Sequence, residues 1–274
     1  LAALLAERDI RLNRDEPLDT GDSDLLALRD LFNEIEKAGF SERSMRQAKL
    51  NVLSVQRVRQ ARDQLLRTLG AKKAEADAEE ALLEAILLGY PDQVARTAVA
   101  SGKRKGERDL VMVGGGRAAL HASSVVRDCE WVVALDVEER QTGTDRRAWA
   151  RLVSRIEPDW LLEHFEDEVE AFDGLDWDGG RDRVDAISQL RYGSLVLEES
   201  RERPTPDDAV TELLITEAMR KGAQQFVDMD AFASLVRRLE YAREFFPDAD
   251  IPEVSRDDAS SQLRLAASGL TSLK

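Results

Sequence analysis

The sequence is poor in the residues that build metal, redox and nucleophilic centres. Its 274 residues include one cysteine, Cys129, and two histidines, His121 and His164. One cysteine excludes an internal disulfide, and together with two histidines it is too few for a common Cys/His zinc site. Cys129 stands between Asp128 and Glu130, whose charges disfavour a thiolate. We therefore expect an unreactive thiol, no structural zinc and a cytoplasmic location.

Long apolar runs and the motifs of nucleotide hydrolysis are also missing. No stretch approaches the roughly 20 apolar residues that cross a bilayer, and the apolar start Leu1–Leu5 meets charged residues before a signal peptide could form. The pair Gly102-Lys103 is followed by Arg104, where a P-loop carries Ser or Thr. Neither histidine accompanies a G-x-S-x-G nucleophile motif. We expect no membrane partner, no catalytic residue and no bound cofactor or metal.

The chain does contain enough apolar and charged material for several folded domains. Hydrophobic residues make up 43% and charged residues 34% of the sequence, which is typical of globular proteins. Its length suits two or three domains of about 100 residues. The sequence begins with LAALLAERD, a helical pattern without an initiating Met or an N-cap residue. We therefore expect a fragment of a longer protein.

Charge is distributed unevenly along the chain. The formal net charge of −15 disfavours contact with phosphate groups. Residues 41–73 nevertheless contain nine Lys or Arg and only two acidic residues. This asymmetry fits a basic stripe that faces an anionic partner, while a solvated helix surface is the simpler interpretation of the same residues.

Periodicity and turn residues predict three parts in a multidomain α+β protein. Residues 1–73 place apolar residues at three- and four-residue steps, which predicts a truncated helical bundle with helices over 22–38 and 41–70. Residues 206–274 return to helical patterns over 207–221, 229–246 and 260–270, with Thr205 expected as the N-cap and Pro206 at the first helical position.

The middle part, residues 74–205, has strand chemistry. After a helix that ends at Gly89-Tyr90-Pro91, short β-branched or aromatic runs alternate with glycine turns, and Pro158–Phe165 interrupts them as a helix. We predict a small, mainly antiparallel, OB-like β-domain. Its expected strands are Leu110–Val113, Trp131–Leu135, Ala148–Ile156, Val184–Leu190 and Leu195–Glu198.

The glycine turn after Leu110–Val113 permits a different interpretation. Residues 114–119 fit G-x-G-x-x-A, and Asp136 follows at the end of a second apolar run, as in an NAD(P)- or nucleotide-binding domain centred on Gly114–Asp136. That domain needs a helix over Arg117–Val126, whose Ser123, Ser124, Val125 and Val126 are modest helix formers. A hairpin turn is favoured, and a strand after the turn would support it.

Two further patterns invite a functional interpretation. The acidic stretch around Asp173–Asp182 is similar to a calcium loop, but aligning Gly179 with the loop glycine puts Gly174 at the first ligand position, so a solvated hairpin is favoured. Aromatic residues of the β-domain could stack on unpaired bases, although core packing is the more common role. These residues are Trp131, Trp149, Trp160, Trp177 and Tyr192.

The order of five motifs resembles the region behind the motor of HrpB-type DEAH-box ATP-dependent helicases. The motifs are LLAERD at 4–9, AILLGYPDQVA at 85–95, GGGRAAL at 114–120, EWVVALD at 130–136 and QLRYGSLVLE at 189–198. In that family these pieces belong to a ratchet-like helical bundle and an OB-like domain. The resemblance covers most of residues 1–205, and residues 206–274 resemble the start of the family's further C-terminal region.

The resemblance implies a parent enzyme that uses ATP and Mg in two RecA-like motor domains, which this chain lacks. The accessory domains would then help to form a channel for single-stranded nucleic acid, with RNA favoured over DNA. On this hypothesis phosphate contacts are expected from Arg43, Arg46, Arg57, Arg62, Lys103, Arg104, Lys105 and Arg117. The alternatives are the dinucleotide-binding domain and a purely structural module that docks its basic residues onto the missing motor.

Overall fold

The computed structural model describes residues 1–7, 9–16, 18–70, 79–99, 108–142, 145–222, 225–226, 228–247, 249, 251, 263–264 and 266–274. The chain divides into two compact units. Unit 1 comprises residues 1–170 and 191–197, and unit 2 comprises residues 171–190 and 198–274. The domain borders predicted at residues 73/74 and 205/206 stay predictions.

The N-terminal part of unit 1 is a helical bundle. Its helices are α1 (Ala2–Ala6), α2 (Asp24–Lys37), α3 (Glu42–Gln47) and α4 (Val52–Leu69). Ser23, Ser41 and Asn51 cap the last three of these helices, because each side-chain oxygen accepts a hydrogen bond from a backbone N–H in the first turn. The apolar faces meet around Leu25, Phe32, Ile35, Met45, Val55 and Val58, all buried.

The single helix predicted over 41–70 is wrong, because the chain breaks between α3 and α4. Lys49 adopts a positive φ of 54° there. Its carbonyl accepts a hydrogen bond from the Leu12 N–H, and the Asn51 N–H donates to the Ile10 carbonyl. These bonds to a distant segment replace helical ones. The predicted apolar face is only partly buried, since Leu53 and Leu69 are 67% and 73% exposed.

The β-domain is a closed barrel that follows α5 (Glu79–Gly89) and a short 3₁₀ helix, Pro91–Gln93. Its strand order is β1-β2-β3-β5-β4. All neighbours are antiparallel except β3 and β5, which are parallel. The strands are β1 (Val94–Val99), β2 (Arg108–Met112), β3 (Arg117–Leu120), β4 (Trp131–Thr142) and β5 (Asp145–Arg155). Helix α6 (Asp159–His164) follows β5, at the position predicted for the inserted helix.

A second sheet has the strand order β6-β7-β8. It is formed by β6 (Val169–Asp178), β7 (Arg183–Tyr192) and β8 (Leu195–Glu202). The acidic stretch expected to be a solvated hairpin forms the end of β6 and the turn into β7. The mixed α+β class, with an OB-like barrel and a further sheet, is therefore confirmed.

Unit 2 adds α7 (Asp208–Lys221) and α8 (Met229–Phe245). Its buried core joins Val184 of β7 to Val210, Leu214 and Ala218 of α7. The N-cap predicted at Thr205 is wrong, because the Asp207 side chain accepts the Val210 N–H at 2.8 Å. The helix begins at Asp208, so Pro206 is not its first residue. Most of the helix predicted over 260–270 lies outside the described residues. No helix among the described residues is long and apolar enough to cross a membrane.

Candidate nucleic-acid interface

The barrel interior is filled by small and medium apolar side chains. Ala95, Leu110, Ala118, Ala150 and Val153 have 4% or less of their surface exposed and belong to one cluster. Side chains alternate between the two faces of each strand, so the residues between them point outward. A ligand of this domain must therefore bind on the outer surface of the barrel.

Part of that outer surface is covered by the helices of unit 1. Val94, Trp131 and Val133, on neighbouring strands β1 and β4, pack in the same cluster as the bundle residues. Trp131 is 5% exposed, and the Arg96 guanidinium lies 5.1 Å from its ring centroid. Trp131 is thus a packing residue, as the core interpretation of the aromatics expected.

A buried carboxylate fastens α2 to the barrel. Asp24 Oδ1 accepts the Val125 N–H at 2.7 Å, and Oδ2 accepts the Ser124 hydroxyl at 2.7 Å and the Val153 N–H at 2.8 Å. Beside it the Ser23 and Ser154 hydroxyls are 2.7 Å apart. Burial raises the pKa of Asp24 above its usual value, outweighing these hydrogen bonds, which lower it. Bundle and barrel surfaces are therefore held in one arrangement.

Strands β1, β2 and β3 carry an outward row formed by Arg96, Val111 and Arg117. The register pairs Arg96 with Val111 and Val111 with Arg117, so the three side chains lie side by side on one face. Arg96 is held by Glu130, at 2.6 Å, and by the Val196 carbonyl, at 2.5 Å. Arg117 is exposed and has no ion pair within the described part of the chain. Its guanidinium is therefore available to an anion.

An aromatic and cationic cluster lies on the same outer side, across β3 and β5. Trp149 is paired with Ala119 in the register. The Arg147 guanidinium stacks over the Trp149 ring at 4.7 Å, and the His121 ring meets it edge-on at 5.7 Å. Asp109 accepts from Arg147 at 3.4 Å. Trp149 is partly exposed, so a portion of its ring can contact a base.

The segment before α2 is bound to β4 and β5 by a network of charges. Arg14 pairs with Asp136 at 2.7 Å and with Glu138 at 2.9 Å. Arg151, whose side chain is 4% exposed, pairs with Asp15 at 2.6 Å. These pairs occupy the outer side of β4 and β5 with internal contacts. On the neighbouring strands, Arg117 of β3 is exposed and Trp149 of β5 is partly exposed, whereas Val111 of β2 packs against the bundle cluster.

The arginines predicted on the helices fall into two groups. Arg43 and Arg57 are exposed on α3 and α4 and make no ion pair with a described residue. Arg46 forms an exposed pair with Glu42 four residues earlier, at 2.9 Å. Arg62 is different, since it bonds Glu36 at 2.8 Å and Asp63 at 3.0 Å and lies 5.3 Å from the Phe32 ring centroid.

The other predicted phosphate contacts are divided between the barrel and a segment that is not described. Arg117 lies at the start of β3. Lys103, Arg104 and Lys105 lie outside the described residues, between β1 and β2 in the sequence. Among the described residues, no hydrogen bond or ion pair joins the helical arginines to Arg117. Whether all of these cations form one surface therefore stays a prediction.

The dinucleotide-binding interpretation of the glycine turn does not hold. Arg117–Leu120 is a strand antiparallel to β2, so residues 113–116 form a hairpin turn. Gly115 has a φ of 83°, which the turn requires. Asp136, the acidic residue of that interpretation, pairs with Arg14. No helix follows the turn to hold a pyrophosphate.

Comparison with known proteins identifies the barrel. Residues 82–167 match a family model described as an oligonucleotide/oligosaccharide-binding (OB)-fold. The match spans α5, the five strands and α6, and the barrel is an OB-fold domain. The OB-like fold expected for this part of the chain is confirmed. No curated protein matches the chain.

Two solved structures of one bacterial protein are similar to the chain. One is the E. coli DExH-box NTPase HrpB, with 21% identity and a TM-score of 0.40, over 79% of this chain and 26% of that chain. The other is the Escherichia coli DEAH/RHA helicase HrpB, with 20% identity, the same TM-score and the same coverage. The chain spans about a quarter of the length of these proteins.

Sequence reasoning missed several elements of this surface. Strand β1 reads VARTAV and is not among the strands expected from the sequence. Composition marks Trp149 as an aromatic of the β-domain, but nothing near it in the sequence connects it with His121. The connection depends on the parallel pairing of β3 with β5, and no local sequence signal encodes it.

Proposed function

We propose that this chain is the accessory part of an ATP-dependent nucleic-acid helicase and that it binds single-stranded nucleic acid on the outer face of its OB-fold barrel. The observation that carries the proposal is the closed β1-β2-β3-β5-β4 barrel, matched to an oligonucleotide/oligosaccharide-binding fold, with the exposed Arg117 and the partly exposed Trp149 on one side. OB-folds bind oligonucleotides over strands 2 and 3 and the adjoining loops.

The charges next to this face support an anionic ligand. Asp109 is paired with Arg147, and Glu130 is paired with Arg96. Arg117 therefore adds a positive charge that no neighbouring described acid offsets. Lys103, Arg104 and Lys105 follow β1 in the sequence and lie outside the described residues. A local excess of positive charge is what phosphate contacts require, even on a chain with a net charge of −15.

Stacking supplies the second part of the proposed contact. A base placed on the exposed part of Trp149 would lie beside the Arg147 guanidinium, which already stacks on that ring. Contacts of this kind tolerate any base and contribute about 1–3 kcal/mol per base. The proposed surface therefore favours unpaired strands over duplexes, with little sequence preference. RNA is the proposed strand, ATP and Mg belong to motor domains outside this chain, and the cell compartment is the cytoplasm.

Fluorescence anisotropy tests the proposal. The full chain is titrated into labelled RNA and DNA strands of about 12 nucleotides, a length suited to one or two OB-folds, at low and physiological salt. We expect binding that weakens as salt rises. Arg117→Glu should weaken it by about ten-fold at low salt and reduce the salt slope by about one. Trp149→Leu, which keeps an apolar packing residue, should weaken binding with little change in slope.

The matched control is Arg237→Glu, which makes the same change of charge on α8 in unit 2, where Arg237 is exposed. It should leave the affinity within about two-fold, because the proposal assigns no nucleic-acid contact to α8. Equal losses for Arg117→Glu and Arg237→Glu would show a non-specific charge effect. No binding at low salt would favour the structural module that docks onto a motor.

A further inference from the structure

Three potential metal ligands from two helices meet at the side of the barrel. Glu84 of α5 and Glu163 and His164 of α6 each place a donor atom within 4.8 Å of the others. Glu84 is half-buried, whereas Glu163 and His164 are exposed. All three lie in unit 1. The two helices are far apart in sequence, so the fold and not local spacing creates this cluster.

The charges of the cluster are unbalanced. His164 Nε2 contacts Glu84 Oε1, but no Lys or Arg among the described residues lies within ion-pair distance of Glu84 or Glu163. Three more acidic residues, Glu166, Asp167 and Glu168, follow α6 after Phe165. Two carboxylates at this separation repel each other unless a cation lies between them.

The donor set indicates which cation fits. One imidazole nitrogen with two carboxylate oxygens is a ligand set for a borderline ion such as Zn²⁺, whereas Mg²⁺ and Ca²⁺ prefer oxygen alone. Zinc bonds of about 2.0–2.2 Å in a tetrahedron bring donors to about 3.4 Å from one another. Glu163 is exposed, so its side chain has room to rotate towards the other two donors.

We propose that Glu84, Glu163 and His164 bind one Zn²⁺ ion, with water as the fourth ligand. The ion would replace the direct Glu84–His164 contact and join α5, which leads into β1, to α6, which follows β5. The ion would then connect the segment that enters the barrel with the segment that leaves it. The proposal does not depend on nucleic-acid binding.

Isothermal titration calorimetry of the full chain with ZnCl₂ tests the site, in a Cys129→Ser background that removes the competing thiol. We expect one zinc ion per chain and no comparable binding of Mg²⁺. Glu84→Gln and His164→Ala should each weaken zinc affinity by at least about ten-fold. Glu80→Gln, on the exposed surface of α5 one turn earlier, should change it by less than about two-fold.

Nitrogen NMR of the two imidazoles identifies the ligand directly. Zinc should shift the His164 resonances in a manner typical of Nε2 coordination and leave those of His121 unchanged. The melting temperature should rise with zinc in the parent background and not in Glu84→Gln. The proposal is overturned if His121 responds instead, if Glu80→Gln weakens binding as much as Glu84→Gln, or if no zinc binds.

Discussion

The substitution Asp24→Asn tests which hydrogen bonds hold the helical bundle against the barrel. Asp24 is 4% exposed, and its two oxygens accept three hydrogen bonds, from Val125 and Val153 N–H groups and from the Ser124 hydroxyl. An amide offers one oxygen. Its best orientation keeps the two bonds at Oδ2 and turns the NH₂ group towards the Val125 N–H. Two donors would then face each other in a buried place.

The loss of unfolding free energy caused by Asp24→Asn follows from these hydrogen bonds. A hydrogen bond to a charged group contributes about 1.5–3 kcal/mol, and a buried N–H without a partner costs about 1–3 kcal/mol. The neutral amide offsets part of this loss of free energy, because it avoids the cost of burying a charge. We expect Asp24→Asn to lower the free energy of unfolding by about 2 kcal/mol at neutral pH. Asp30→Asn, on the same helix but with a 59% exposed side chain paired to Arg29, should cost at most about 0.5–1 kcal/mol.

The pH dependence provides a second, independent test. Burial raises the pKa of Asp24, so its contribution to stability is full below the unfolded value of 3.8 and is lost as pH rises through the folded pKa. Asparagine does not titrate. The difference in unfolding free energy between the native chain and Asp24→Asn should therefore grow as pH falls from neutral towards 3.8.

Urea unfolding followed by circular dichroism measures the energies, and amide hydrogen exchange reports the site. Exchange at Val125 should accelerate more than at Val153, which keeps its acceptor in the expected amide orientation. If Asp24→Asn lowers the free energy of unfolding no more than Asp30→Asn, then the hydrogen bonds of Asp24 do not stabilise the fold. A difference that shrinks in acid would show that the hydrogen bonds outweigh burial.

Three other predictions concern single residues. Burial and then Glu168 raise the pKa of Tyr192 to about 12. Ultraviolet titration should show a phenol ionising near pH 12, and Tyr192→Phe should remove this step. The contribution of Tyr192 to stability should be present below pH 10 and be lost as the pH rises towards 12. Burial raises the pKa of Cys129, so iodoacetamide at pH 8 should alkylate the folded chain more slowly than the urea-unfolded chain. Gly193 has a φ of 56°, and an added Cβ would lie 2.8 Å from the Val113 carbonyl oxygen. Gly115→Ala, where the space is open, should lower the free energy of unfolding by roughly 1–2 kcal/mol. Gly193→Ala should lower it by more, as measured by urea unfolding.

Local chemistry is sufficient to predict most elements but not the ones set by distant contacts. The runs at Trp131 and Ala148 indicate β4 and β5 through β-branched and aromatic residues. The sequence leaves β3 undecided between strand and helix, because RAAL carries no strand signal. It is a strand because it pairs with β2 and β5. The break before α4 likewise depends on backbone bonds to residues 10–12, although Asn51 is a visible capping signal.

For the candidate surface too, composition predicts which residues are charged but not which of them are already paired. Counting charges over 41–73 predicts a basic segment, but a count cannot separate a free guanidinium from one already engaged. Arg62 lies against Phe32 and bonds Glu36 and Asp63, so its charge is used within the bundle. Arg57, five residues earlier on α4, has no such partner among the described residues. The helix therefore offers fewer cations to a ligand than its composition suggests.

Whether the individual charges near a surface are paired decides if an acidic chain can still bind a polyanion there. Charges separated by more than about 10 Å are screened from each other at physiological salt, so the field at a phosphate depends on the nearest groups and hardly on the total of −15. Near the open barrel face, Asp109 and Glu130 are paired with arginines. Breaking such a pair should therefore act like adding a negative charge: Arg147→Gln would free Asp109 and weaken strand binding, and Asp109→Asn together with Arg147→Gln should restore most of the loss. If the double variant binds no better than Arg147→Gln alone, then stacking on Trp149 and not local charge is the contribution of Arg147.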